Sequence, residues 1–303
     1  MRLRQKLRIK EEKKLTCYFW ACDYKENTGE GRLARLYSDI ILRKNNIKLK
    51  RIALPNSRIL NLRYFSPLMG IFYSWKCYFK NKKFIYLNYL PLWNILIFLL
   101  LAPKSSIGPI TGGANFNKSN LIRRFIFPIL YLISQIIILF RFNDIIFSTN
   151  LLKKNLMQTV KKKSRFNFVL NALKKNKKKK KNIDFLIYFR KHSNKKTFFP
   201  LNFIKKLVHL NLKIYVVGDK LNTEGVKNLG RISHKNLQNL LSKSRYSIAS
   251  GENILSFFTL DCINNNVKII LNTNQNINIK NINNNFIKLN FKSNLIANKF
   301  KSF

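Results

Sequence analysis

Acidic side chains are what this sequence has least of. Only 12 Asp and Glu stand against 58 Lys and Arg in 303 residues, a formal charge of +46. Taken alone, that balance predicts attraction to nucleic acid or to an anionic membrane surface. The excess is mostly lysine and comes with abundant asparagine and isoleucine, the trio towards which AT-biased coding drifts on tolerant surfaces. Cysteine is also sparse: Cys17, Cys22, Cys77 and Cys262 show no CxxC spacing, and His192, His209 and His234 are scattered, which supports neither a zinc site nor a disulfide framework. Long uninterrupted apolar runs are missing too. A spanning helix needs about 20 predominantly apolar residues. Segment 84–103 is broken by Asn88, Pro91 and Asn94, and segment 121–142 by Arg123, Arg124, Pro128, Ser134 and Gln135. Buried helices, or helices lying on a membrane surface, are expected instead. The start, MRLRQKLRIKEEKK, lacks the apolar core and cleavage site of a signal peptide, so a reducing, cytoplasmic location is expected.

What is present is a globular composition. At 46% hydrophobic residues the chain can bury a core, and its length allows two domains. The few acids become informative because several sit in candidate loops: Asp23, Glu26, Glu30, Asp219 and Glu252. The last belongs to the stretch that organises the reading, Ser250-Gly251-Glu252-Asn253 through Asn266. It follows a short apolar run, Tyr246 to Ala249, and leads into a helix-period stretch. Gly251 allows a tight turn, and Ser250, Asn253 and Ser256 can cap the helix or donate to a ligand. A helix N-terminus carries unpaired N–H groups and accepts phosphate. Glu252 stands where a carboxylate can hold sugar hydroxyls, and Asp261 follows nine positions on. An ordinary capped strand–turn–helix is the plain alternative.

Along the chain, apolar runs alternate with helical stretches. Leu15 to Ala21 reads as a strand; then come a polar loop, Cys22 to Gly31, and a helix from Arg32 to Leu42. A Gly-Glu-Gly loop there suits close approach of a ligand to backbone, with a plain βα turn as the alternative. Ile47 to Leu54 and Phe84 to Leu90 read as strands, 64–80 as an aromatic-rich, partly exposed helix, and Ser105 to Gly113 as a strand entering a Gly-rich loop. Leu121 to Phe142 reads as a helix and Ile145 to Ser148 as a strand. From Lys153 to Lys181 the composition shifts to lysine tracts, which predict a surface hinge or linker, with a nuclear-localisation or nucleic-acid tag as the competing reading. Then come strand Ile183 to Tyr188, the basic loop Phe189 to Lys196, helix Phe203 to Leu210, strand Leu212 to Val217 ending in Gly218-Asp219, and helix Lys235 to Ser242 capped by Ser233. Val267 to Leu271 is one more strand.

This alternation predicts an α/β fold with parallel, doubly wound sheets: a first domain over 1–152, a lysine-rich hinge over 153–182, and a second domain over 183–303. Ligands in such sheets bind beyond the carboxyl ends of the strands. The polar and Gly-rich loops fall at those ends, which predicts a cleft between two Rossmann-like domains with a phosphate-bearing ligand on the second.

The order strand–Arg/Lys loop–helix–VVGD–x–LGRIS–helix–strand–SGEN–helix–Asp–strand, over about 183–271, resembles the nucleotide-sugar-binding domain of GT-B glycosyltransferases, especially their retaining, metal-independent branch. The first half, with Gly-Glu-Gly and IGPITGG, is similar to their acceptor domain. That family typically has two glutamates eight positions apart; Glu252 stands in the first place, but the next acid is Asp261, nine on and one carbon shorter. The resemblance implies transfer of a sugar from a nucleotide-diphosphate sugar to a glycan or lipid-linked acceptor, in polysaccharide or lipopolysaccharide synthesis. It implies Arg190 and Lys195 at the diphosphate in place of a metal, in keeping with the lack of any Asp-x-Asp, and Glu252 orienting the donor sugar. Ser250, Gly251, Asn253, Ser256 and Gly218 would line the donor, with Asp261 at the ribose. Gly29, Glu30 and Gly31 would approach the donor phosphates, and Asp23, Glu30, Thr111 and Gly112 would lie towards the acceptor. No metal or further cofactor is implied. An anionic membrane face is the expected resting surface and no specific nucleic acid the expected partner. The rivals are a polyanion-binding protein driven by the lysine tracts and an inactive scaffold of the same fold.

Overall fold

A computed structural model describes residues 16–25, 28–44, 48–52, 65–111, 125–174, 176, 179–191, 199–249, 254–273, 282–293 and 300. The chain divides into two compact units, Met1–Asn171 and Ala172–Phe303.

In the first unit the strands are β1 (Thr16–Trp20), β2 (Lys48–Arg51), β3 (Lys83–Pro91), β4 (Ser106–Thr111), β5 (Asp144–Phe147) and β6 (Ser164–Arg165). They form one parallel sheet in the order β2-β1-β3-β4-β5-β6. The connecting helices are α1 (Gly29–Lys44), α2 (Ser66–Phe79), α3 (Ile95–Leu100), α4 (Phe127–Arg141) and α5 (Gln158–Lys163). β3 reads FIYL because a central parallel strand is covered on both faces, and Phe84 to Leu87 are all buried. Right-handed crossovers place α1 on one face and α2 to α5 on the other. The core between the sheet and the second group includes Trp20, Tyr86, Phe98, Ile107, Phe142 and Phe147.

In the second unit the strands are β7 (Ile183–Phe189), β8 (Ile214–Gly218), β9 (Val226–Gly230), β10 (Ser244–Ile248), β11 (Lys268–Asn272) and β12 (Phe286–Leu289). They too are parallel, in the order β12-β11-β10-β7-β8-β9. Its helices are α6 (Leu201–Val208), α7 (His234–Ser242) and α8 (Phe257–Asn264). α6 turns Phe203, Ile204 and Leu207 into a core with Phe185, Ile187 and Ile270. Each fully buried phenylalanine of this kind contributes about 1.5–3 kcal/mol of transfer free energy. The chain is thus two Rossmann-like, doubly wound parallel-sheet units, the α/β class expected from the alternation of strands and helices.

Several boundaries differ from expectation. The lysine-rich stretch 153–182 is not a solvated linker throughout. Leu156 and Val160 enter the first core, β6 pairs with β5, and Phe168 stacks near Tyr37, with ring centroids 4.7 Å apart. Further on, Asn176 donates its N–H to Asn264 O at 2.7 Å, and Lys181 Nζ reaches Asn265 O at 2.9 Å and Leu241 O at 3.4 Å. Lysine suits this place because the C-terminal ends of α7 and α8 present unpaired carbonyls to it. Burial there lowers the Lys181 pKa. Composition missed this because a lysine can bury its stem and still carry its charge to a carbonyl. Beyond Asn272 a short helix and β12 complete the sheet. α4 is 15 residues long, and no described helix is long and apolar enough to cross a membrane.

Candidate functional site

In doubly wound sheets the ligand crevice opens where the strand order reverses. In the second unit the chain runs outward from β7 through β8 to β9, then returns past β7 to β10, so the reversal lies between the ends of β7 and β10. β7 delivers Arg190 and Lys191, both exposed. β8 ends at Gly218, whose φ of +106° and close approach admit only glycine: an added Cβ would lie 2.2 Å from Phe189 O.

Asp219 then ties three strand ends together. Its N–H donates to Phe189 O at 2.9 Å, and its carboxylate accepts from the Lys191 N–H at 2.9 Å and from Arg231 Nη2 at 3.1 Å. The Lys191 amide first, then the Arg231 guanidinium, hold the Asp219 pKa below the ordinary carboxylate value, with a smaller share from Arg190. The loop that carries Arg190 is therefore pinned from below by an acid.

Two helix N-termini face the same edge. Ser233 caps α7, accepting from the Asn236 N–H at 3.2 Å, and Ser256 caps α8, accepting from the Thr259 N–H at 3.2 Å. α8 starts at Phe257, later in the chain than Ser250–Asn253, with Ile254 and Leu255 buried ahead of it. Those two apolar residues anchor the chain before the helix can begin. Asp261 lies in the second turn of α8, its side chain 4% exposed, with Oδ1 3.5 Å from His234 Nε2. The same imidazole nitrogen is 2.9 Å from the Gln238 amide nitrogen, and Gln238 Oε1 accepts from Asn265 Nδ2 at 2.6 Å. A proton on Nε2 favours Asp261, and a lone pair favours the Gln238 amide. His234 is half-exposed, so a buried acid holds an imidazole at the open edge.

The first unit has its own reversal between β1 and β3. Cys22, just past β1, donates its N–H to Asn88 Oδ1 of β3 at 2.8 Å. Burial pushes the Cys22 thiol pKa up, against the opposing pull of the nearby polar groups of Ser66, Trp20 and Asn88. Asp23 Oδ1 accepts from the Lys25 N–H at 2.9 Å, a local turn. Gly29, Glu30 and Gly31, expected as loop, form the first turn of α1. Thr28 causes this by capping it, accepting from the Gly31 N–H at 3.1 Å. An added Cβ on Gly31 would meet Lys25 O at 2.2 Å, whereas Gly29 faces open space. Thr111 closes β4 opposite Pro91.

The structure thus gathers Arg190, Gly218, Ser256 and Asp261 at the carboxyl edge of the second unit. It places Asp23, Gly29, Glu30, Gly31 and Thr111 at that of the first. Lys195, Ser250, Gly251, Glu252, Asn253 and Gly112 lie outside the described residues. The sequence reading did not single out Arg231, or His234 as a partner of Asp261. The signal was present, since LGRISH sits at a strand end immediately before a helix. Among the described residues no group of three or more His, Cys, Asp or Glu could hold a metal ion.

No protein-family model matches the chain, and no curated protein matches it in sequence. Among solved structures it is similar to the UDP-GlcNAc 2-epimerase of Methanocaldococcus jannaschii in complex with UDP-GlcNAc and UDP, at 10% identity and a TM-score of 0.49, over 95% of this chain and 92% of that one. It is also similar to the E. coli heptosyltransferase WaaC with ADP, at 10% identity and a TM-score of 0.41, over 95% and 98%. A third is a UDP-glucosyltransferase from Polygonum tinctorium, at 7% identity and a TM-score of 0.45, over 86% and 80%.

Proposed function

We propose that this chain is a nucleotide-sugar-using enzyme of GT-B type, and that its reaction is glycosyl transfer to a glycan or lipid-linked acceptor. One observation carries the reading. β7 and β10 are paired neighbours at the reversal point of the second sheet, and in sequence the basic stretch from Arg190 follows the one and Ser250–Asn253 the other. Phosphate in such a crevice meets cations from one side and N–H donors of a strand-to-helix turn from the other. As the bond between sugar C1 and the diphosphate oxygen breaks, negative charge grows on the leaving phosphate. Arg190 and Lys195 stabilise that charge, and they gain most where it develops. Glu252 holds donor sugar hydroxyls. His234, fixed by Asp261, is the group at this edge that reaches the nucleotide, so Asp261 acts through it rather than on the ribose directly. Gly29, open to approach, faces the donor phosphates from the first unit in this reading, and Asp23, Glu30, Thr111 and Gly112 lie on the acceptor side. A retaining outcome follows the resemblance of the sequence order to that branch.

The test is thermal stabilisation by a panel of nucleoside diphosphates and nucleotide sugars, with wild type beside Arg190→Ala and Glu252→Ala. Any polyanion stabilises so basic a chain, so the comparison is among nucleotides of equal charge. A preference for one base or sugar that is lost in Glu252→Ala supports the site and names the donor. Release of nucleoside diphosphate with formation of a glycoside then separates transfer from other nucleotide-sugar chemistry. Equal, salt-erased shifts in all three proteins overturn the proposal.

A further inference from the structure

The first unit leaves a broad apolar surface uncovered. Phe72 and Phe79 of α2, Leu96 of α3, and Ile129 and Phe140 of α4 are each more than half exposed, Phe140 at 83%. Right-handed crossovers bring these three helices to one face of the sheet. Contacts join them there: Trp75 Nε1 donates to Leu100 O at 2.8 Å, and Trp93 stacks on Phe127 with ring centroids 5.8 Å apart. Scattered exposed apolar residues are ordinary, but a contiguous field across three helices marks an interaction surface.

Charge identifies the partner. Between Asp39 and Asp144 the sequence contains no acidic residue, so every charged side chain of these three helices and their connections is positive; Asp144, next to the groove residue Asn143, is already paired with Arg165. At the amino edge of the sheet the face ends in a groove of about 520 Å³, lined by Tyr78, Phe79, Lys82, Lys83, Lys104 and Ser105 among others. A second copy of the chain would bring +46 against +46. An anionic bilayer offers both complements, acyl chains for the rings and phosphate for the lysines.

We propose that the α2–α3–α4 face is a docking surface for an anionic phospholipid bilayer, with the groove at its amino edge taking a phosphate-bearing headgroup. The helices lie on the membrane, since no described helix is long enough to cross it. Exposed Trp93 and Phe125 continue the apolar field to the start of α3 and the turn before α4, at the carboxyl edge. On the transferase reading above, a lipid-linked acceptor is then the class that reaches the first unit's edge from the membrane plane.

The test is flotation of the full-length protein with phosphatidylcholine vesicles, with and without phosphatidylglycerol, at low and at high salt. Phe79→Glu/Leu96→Glu/Phe140→Glu removes apolar contacts, and Lys83→Gln/Lys104→Gln removes groove charge; circular dichroism and thermal midpoint report folding of both. Wild type is expected to bind the anionic vesicles and to keep part of that binding at high salt. The triple variant loses about tenfold in partitioning together with the salt-resistant part, and the double variant loses the phosphatidylglycerol preference that wild type keeps at high salt, where the field of the other lysines is screened. Wild-type binding wholly erased by salt overturns the proposal, as does a triple variant that floats like wild type. A triple variant that turns a dimer into a monomer by light scattering, with flotation unchanged, assigns the face to a second copy and overturns it too. Nucleotide-dependent thermal shifts in vesicle-free buffer report the donor site separately, so the two readings fail by different measurements.

Discussion

At the scale of single residues, the scarce acids are braces. Asp144 binds Arg165 at 2.5 Å across β5 and β6, Asp184 accepts from the Lys213 N–H at 2.9 Å, and Asp261 holds His234. Asp219 does the most for the site, because it fixes the loop that carries Arg190. Its native pKa lies below its ordinary value, so the unfolded chain binds the proton more readily than the folded one. The brace's contribution is therefore fully present above the ordinary Asp pKa of about 3.9 and is lost as pH falls through the lower native value. Asp219→Asn should remove that acid-side dependence, read as unfolding midpoints across pH, and weaken nucleotide stabilisation near neutrality. A variant whose acid profile matches wild type would show that the brace is idle. Gly218→Ala is the sharper test of the same corner: with positive φ and an occupied Cβ position, it should cost about 1–3 kcal/mol or more in urea unfolding.

At the scale of elements, two glycines two residues apart separate structure from ligand approach. Gly31→Ala collides with the Lys25 backbone and should lower the thermal midpoint by several degrees; Gly29→Ala meets nothing and should leave it unchanged or slightly higher. If the α1 turn receives donor phosphate, Gly29→Ala alone weakens nucleotide-sugar binding at full stability. Unchanged binding would remove Gly29 from the site. The caps give a third measurement, since Ser233→Ala and Ser256→Ala should each cost about 1 kcal/mol. The sequence announced some of these devices and hid others. Ser233 ahead of a helical period was readable as a cap. The start of α8 was not, because Ser250, Asn253 and Ser256 are all competent caps and tertiary burial of Ile254 and Leu255 chose the last. Gly29 to Gly31 looked like loop because glycine disfavours helix, yet Thr28 and the close approach of Lys25 override that preference. The lysine tracts misled for a related reason: composition reports charge, while Lys181 and Asn176 act through hydrogen bonds to the carbonyl ends of α8 and its neighbours.

At the scale of the whole molecule, alternation of apolar runs was enough to give two parallel sheets, because parallel strands must be covered on both faces and say so in sequence. The order of strands, and hence the reversal points, was not in the pattern; it arises from which crossovers pack, and it is what sets β7, which ends just before Arg190, beside β10. Charge behaves differently again, as a property of the ensemble of side chains. A chain at +46 attracts every polyanion, so binding to nucleic acid alone would say little about its role. Counterion release makes such binding collapse with salt, and the lysine tracts lack the interleaved aromatics that stack bases. We expect affinity for single-stranded RNA to fall by about a hundredfold or more between about 50 and about 300 mM salt, without preference between unrelated sequences, as read by fluorescence anisotropy. Nucleotide-sugar selectivity should survive the same change, because it depends on fixed donors and a shaped crevice rather than on the summed field. An RNA sequence or structure preference that persisted at the higher salt, with nucleotide selectivity absent, would reverse the assignment: the basic surface would be the function, and the reversal point of the second sheet only part of its scaffold.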